Sequence, residues 1–208
     1  MNPPSAWAGH RQAVQPVRAG FGHYQPLLAY ARDPCDPRVH AYASALDMAR
    51  TSTRMVGRSR FGLEEDSYLA LLDRHFPDIP ASYRKTGGGN RHYDHDEFDD
   101  LLHLLLAHGQ DNSPDNRWLA HAVATGCMGD DHLWQDLGLA DRQVLSDLLA
   151  QWFPELYARN TQGMRWKKFF YRQLCLRTGV RVCRSPSCEA CREYTQCFGS
   201  EEDDIWQK

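Results

Sequence analysis

Four of the chain's seven cysteines fall within fifteen positions, as Cys183, Cys188, Cys191 and Cys197 in the spacing Cys-x4-Cys-x2-Cys-x5-Cys. Thiolates this close together cross-link as disulfides, close on a zinc ion, or hold an iron–sulfur core. The N-terminus "MNPPSAWAGHRQ" has no basic region followed by an apolar stretch, so the sequence predicts a cytoplasmic protein whose thiols stay reduced. An odd cysteine count also argues against a disulfide framework. Zinc ribbons and fingers split their ligands into two knuckles, separated by about a dozen residues or more. Here one Cys-x2-Cys pair is flanked closely on both sides, so a single loop can wrap a cuboidal iron–sulfur cluster. Four sulfur ligands suit either metal, and the zinc alternative stays open at this point.

The residues before the array suit a negatively charged site. Between Thr161 and Arg184 there are seven cations (Arg165, Lys167, Lys168, Arg172, Arg177, Arg181 and Arg184) and no aspartate or glutamate. A cluster held by four thiolates carries net negative charge, which neighbouring cations stabilise. Most of these side chains are equally explained as the solvated face of a helix. Arg181 and Arg184, next in sequence to Cys183, are the better candidates for contact with the cluster. His132 offers an imidazole that ligates metal or donates to a sulfide, against the plainer reading of a histidine at a helix junction. Cys127 and Cys175 are expected on helices as small hydrophobes, and Cys35 has no role assigned. In "HYDHDEFDD" (92–100) the acids are explained by the preference of a helix N-terminus for negative charge rather than by a hard metal.

The elements that must position the array read as helical almost throughout. Asp36-Pro37 and Ser113-Pro114 are cap-plus-proline signatures, opening helices that run to about Arg54 and Cys127. Leu69, Leu72 and Phe76 share a face that stops at Pro77, while Phe98, Leu101, Leu102, Leu105 and Leu106 form a second stripe. Val144, Leu145, Leu148, Leu149 and Trp152 mark a helix closed by Pro154, and Asn160 or Thr161 caps a last one through Thr178. No useful strand pattern occurs, so the fold class is all-α: a single helical domain ending in a four-cysteine loop. The expected organisation is a mobile arm over 1–22, the helical domain over 23–180, the cysteine loop over 181–199 and an acidic tail over 200–208. "TGGGN" (86–90) lacks the lysine and hydroxyl of a phosphate-binding loop. Apolar runs are too short to span a membrane, and a net charge of −3 gives no general drive toward nucleic acid.

"RWKKFFYRQLC" followed by the cysteine array resembles the NifQ family of nitrogen-fixation proteins, as do "GCMGDDHLWQDLGL" (126–139) and "GLEEDSYLALLDRHFP" (62–77). The resemblance runs from about residue 55 to Gly199, and the array shows no departure from the family pattern. It implies an iron–sulfur protein, with a cluster of 3Fe–4S or 4Fe–4S type, that processes molybdenum for the iron–molybdenum cofactor of nitrogenase. Carried over residue by residue, the cluster ligands are Cys183, Cys188, Cys191 and Cys197. The implied partners are the cofactor-assembly scaffold, the nitrogenase iron protein, and molybdate or a molybdenum carrier. The implied role is that of a metal donor rather than a turnover enzyme.

Two alternatives come from other classes. A helical DNA-repair glycosylase also ends in a four-cysteine loop, but no helix–hairpin–helix is visible midway along this chain and its charge is poor for a duplex binder. A zinc-stabilised interaction module would be colourless, whereas a cluster protein purified without oxygen is brown.

Overall fold

A computed structural model describes residues 23–85, 97–178 and 197–199. The expected arm, the Gly-rich 86–90 stretch, the acidic tail and most of the cysteine segment lie outside the described residues. Among the described residues there are helices and no strands. None of these helices is long and apolar enough to cross a membrane.

The centre is α5 (Pro114–Cys127), which buries almost every residue from Trp118 to Cys127. Ser113 accepts the Asn116 backbone N–H at 3.2 Å and so caps it, as the Ser-Pro signature predicts. Along one side lies α1 (Pro37–Thr51), capped by Asp36, which accepts the Arg38 N–H at 2.8 Å. Ala41, Ala43 and Ala45 of α1 and Ala120, Ala122 and Ala124 of α5 are fully buried. Small side chains on both helices let their axes approach closely, and this is the most extensive helix pairing among the described residues. Against α5 also packs α4 (Glu97–Ala107), burying Phe98, Leu101, Leu104 and Leu105.

The remaining elements complete the shell. α2 (Glu65–His75) buries Tyr68, Leu71, Leu72 and His75, with α3 (Ala81–Arg84) following it. α6 (Leu133–Asp136) leads into α7 (Arg142–Trp152) and α8 (Pro154–Arg159), and α9 (Trp166–Thr178) lies against α4. Between α6 and α7, Gly138 has φ +65°, and an added Cβ would lie 2.4 Å from the Tyr24 ring. That approach lets Tyr24 donate its hydroxyl to the Gly138 carbonyl at 2.9 Å, tying the first described residues to the far side of the core.

Several boundaries differ from expectation for local reasons. α1 ends at Thr51, because the Ser52 hydroxyl accepts from Arg54 N–H at 3.3 Å and starts a separate 3-10 turn over Thr53–Met55. Pro154 closes α7 but also opens α8, as its missing N–H and fixed φ suit a first helical position. Asn160 does not cap α9. It folds a loop instead, donating Nδ2–H to the Met164 carbonyl and accepting the Met164 N–H, both at 2.8 Å, so the helix starts five residues later than Thr161. In α4 the core face takes Leu104, leaving Leu106 37% exposed and Leu102 half-buried.

His121, on the α5 face toward α4, gives the fold an acid sensitivity. Its Nδ1 lies 3.2 Å from the Phe61 carbonyl, which can only accept, so the ring holds a proton on Nδ1. Burial pushes its pKa down to about 4, against the opposing pull of the Phe61 carbonyl and Asp99. The unfolded chain therefore binds a proton that the folded chain refuses, between about pH 6.5 and about pH 4. Stability should rise with pH across that window, and its loss on acidification from this group is at most about 3 kcal/mol. Urea midpoints of the wild type and His121→Gln, followed by far-UV circular dichroism from pH 7 to pH 4, measure this. The variant's pH slope should be the shallower of the two.

Candidate metal centre

Of the four array cysteines, the described residues include Cys197. It lies in a helical turn and is half-buried, packing with Phe198 against the core rather than standing fully exposed. Its carbonyl accepts the Arg165 backbone N–H at 2.8 Å, and Arg165 Nε donates to the Gly199 carbonyl at 3.4 Å. Arg165 immediately precedes α9, so the last cysteine sits at the N-terminal end of that helix. The segment carrying the other three leaves from Thr178, at the opposite end, about 20 Å away by helix geometry. Cys183, Cys188 and Cys191, together with Arg181 and Arg184, lie outside the described residues.

Beside the Cys197 anchor is a cavity of about 140 Å³, lined by Asp131, His132, Leu133, Leu145 and the stretch from Arg165 to Lys168. His132 is the residue before α6, and its backbone N–H donates to Gln135 Oε1 at 3.0 Å. It therefore has the structural role of a helix start, and the residue lines the same cavity as the cations beside Cys197. The structure thus brings together His132 and the neighbourhood of Cys197, which are 65 positions apart in sequence.

The floor of this region rests on a pair that sequence reasoning missed. Lys167 Nζ lies 2.5 Å from Asp136 Oδ2 and donates to the Gly129 carbonyl at 2.8 Å. Asp136 also accepts the Asp131 N–H at 3.1 Å, and its carbonyl accepts the Ser44 hydroxyl at 2.6 Å. One residue therefore joins α1, α6, α9 and the loop holding His132. Burial pushes the Asp136 carboxyl above its ordinary range, and the Lys167 charge opposes that rise. Gly129 is required here, since a Cβ would meet the Asp136 carboxylate at 2.3 Å. The signal available in the sequence was that "GDDHLWQD" and "RWKK" both belong to the family-like stretches.

The other cysteines are accounted for structurally. Cys127 ends α5 in the core, and burial pushes its thiol up to about 12, which makes it an inert hydrophobe rather than a ligand. Cys175 is half-buried on α9, and Cys35 is exposed ahead of α1. In the acidic run, residues 92–96 lie outside the described residues, while Asp99 pairs with the buried Arg58 at 3.1 Å. Among the described residues no group of three or more histidine, cysteine or acidic side chains is placed to hold a metal ion.

The NifQ family model matches residues 41–199. The match starts at α1, upstream of the stretch that carried the resemblance, and encloses the whole cysteine array. The chain is 44% identical to Protein NifQ of Azotobacter vinelandii over 151 residues, covering 67% of this chain and 77% of that protein. It is 37% identical to Protein NifQ of Rhodobacter capsulatus over 148 residues, 69% of this chain and 78% of that one. Over a shorter stretch of 81 residues it is 51% identical to Protein NifQ of Klebsiella pneumoniae, 38% of this chain and 48% of that one. No solved structure matches the chain. A model match over most of the sequence and relatives of this identity and coverage agree: the chain belongs to the NifQ family.

Proposed function

We propose that this protein holds an iron–sulfur cluster on Cys183, Cys188, Cys191 and Cys197, carries molybdenum on it, and donates that molybdenum for assembly of the nitrogenase iron–molybdenum cofactor. The observation that supports this most is the four-thiolate array lying wholly inside the family match. The donor set suits the cargo, because soft thiolates are the usual ligands of iron–sulfur cores. A bound iron–sulfur core supplies bridging sulfides, soft donors suited to reduced molybdenum.

The chain's own residues contribute position and charge. Cys197 is set at the end of α9 through the Arg165 N–H, with Arg165 and the exposed Lys168 supplying positive charge toward a negatively charged site. The helical body has its own core in residues 24–170 and provides a rigid platform on which the array can be loaded and emptied. Receiving partners in this reading are the cofactor-assembly scaffold and the nitrogenase iron protein, with molybdate or a molybdenum carrier upstream. The protein is a stoichiometric donor here, not a turnover catalyst.

Metal analysis and EPR on protein purified without oxygen test the first half of the reading. Brown protein with iron, and with molybdenum at no more than about one per cluster, is expected. Colourless protein containing zinc in place of iron would contradict it.

A further inference from the structure

We propose that the groove beside α9 is the docking site of the chain's own acidic segment, residues 200–208, held by charge along one strip of the helix and by an apolar contact at its far end. The groove, of about 330 Å³, runs between the loop after α8 and the outer face of α9. Its buried floor is Met164 and Phe169, and at its far end Leu176 stands 66% exposed. Arg159 and Arg172 also line it, and among the described residues no carboxylate does.

Charge selects the occupant. Lys168, Arg172 and Leu176 recur every four residues, so they form one strip of α9, and all three are exposed. Neither Lys168 nor Arg172 forms an ion pair among the described residues. Arg159 contributes less, because Glu155 lies 3.6 Å from it. Like charges one turn apart destabilise a helix unless something opposes them. The sequence from Thr161 to Arg184 supplies no acid to do so. Glu201, Glu202, Asp203 and Asp204 are four acids in a row, followed by Ile205 and Trp206. That order, acids and then apolar residues, matches the strip, which runs from cations to Leu176.

The reach agrees with the charge. Arg165 Nε donates to the Gly199 carbonyl at 3.4 Å, so the segment sets out from the N-terminal end of α9. Along the helix from there, Arg172 lies about 10 Å away and Leu176 about 17 Å. An extended chain covers about 3.3 Å per residue, so Glu202 and Asp203 come level with Arg172, and Ile205 and Trp206 reach Leu176. The stretch between α9 and Cys197 is a poorer occupant, since Arg181, Arg184 and Arg192 outnumber Glu189 and Glu193. An acidic segment of another protein would have to displace one tethered at an effective concentration on the order of millimolar. None of this depends on the donor reading above.

The test is zero-length carbodiimide coupling, which joins a carboxylate to a lysine only where the two touch, on the full chain at low salt with peptide mass spectrometry. Lys168 should couple to one of the acids from Glu201 to Asp204 within a single chain, in a yield independent of protein concentration. Added salt should release the segment. At the salt concentration that halves wild-type coupling, Arg172→Gln should lower it about two- to threefold further, the scale of one exposed ion pair. Trp206 gives the second readout, as the difference in emission between wild type and Trp206→Phe. That emission should be blue-shifted at low salt, and should move to its position in water when Glu201→Gln, Glu202→Gln, Asp203→Asn and Asp204→Asn are combined. Far-UV circular dichroism checks folding, and Arg172 is exposed, so its replacement leaves the core untouched. Absence of the Lys168 coupling, indifference to Arg172→Gln in folded protein, or water-like Trp206 emission in the wild type would overturn the proposal. So would coupling that rises with protein concentration and joins isotope-labelled to unlabelled chains, which would assign the groove to a second copy's segment.

Discussion

Changing Cys197 to alanine should strip the protein of most of its iron and visible absorption while leaving its helices in place. The same outcome is expected for Cys183, Cys188 and Cys191, since a cluster with four thiolate ligands loses its charge balance and a coordination position when any one is removed. The Cys197 backbone would stay anchored, because its carbonyl, not its thiol, accepts the Arg165 N–H. The fold should survive because, among the described residues, the fully buried aromatics run from Tyr24 to Phe170, a core that forms ahead of the array in sequence. Small zinc modules behave in the opposite way, as metal binding supplies their folding free energy. Iron per chain, the visible spectrum and far-UV circular dichroism measured together check this. If any two of the four variants keep full iron, the ligand assignment is wrong.

Asp115→Ala should be among the most destabilising single changes in the helical body, by about 3 kcal/mol, the low end for breaking a buried ion pair. The Asp115 side chain is 14% exposed and faces three cations or potential cations from two other helices. Arg38 Nη1 lies at 3.2 Å, Arg74 Nη1 at 2.8 Å and His75 Nε2 at 3.6 Å. Burial alone would raise its carboxyl; the His75 ring and the two guanidinium groups outweigh that and hold it below the ordinary range. Its contribution is accordingly present above the ordinary carboxylate pKa and is lost as pH falls through the depressed one. The estimate stays at the low end because Arg74 is 56% exposed and can return to water, while Arg38 keeps its second partner, Asp36. The exposed pair Arg84–Asp73 should be worth a few tenths of a kcal/mol by contrast. A fall in the urea midpoint of Asp115→Ala without a change in slope would establish the effect.

Legibility in the sequence followed the range of the interactions involved. Asp36-Pro37 and Ser113-Pro114 mark true helix starts, because a cap is a contact between neighbours two or three residues apart. The error at Asn160 arose within the same range: its amide was satisfied by Met164 in a loop rather than by the first turn of α9. Choosing Leu106 over Leu104 for the α4 core was beyond periodicity, since the two are about half a turn apart and only the packing on α5 and α9 separates them. The Asp136–Lys167 pair could not be derived at all, because 31 positions separate residues whose meeting depends on the finished packing of α6 and α9. For the site itself, the cysteine spacing was legible. What the structure adds is the position of Cys197 at the end of α9, next to the cavity that His132 also lines.

The central claim, molybdenum donation, is tested most directly by cofactor synthesis in vitro with this protein as the sole molybdenum source. The assay contains the assembly scaffold, the nitrogenase iron protein and cofactor-free nitrogenase. Protein loaded with molybdenum should activate that nitrogenase in proportion to the molybdenum it brings, and Cys197→Ala protein should not. Brown, molybdenum-loaded protein that never activates it, in an assay that free molybdate does activate, would contradict the account.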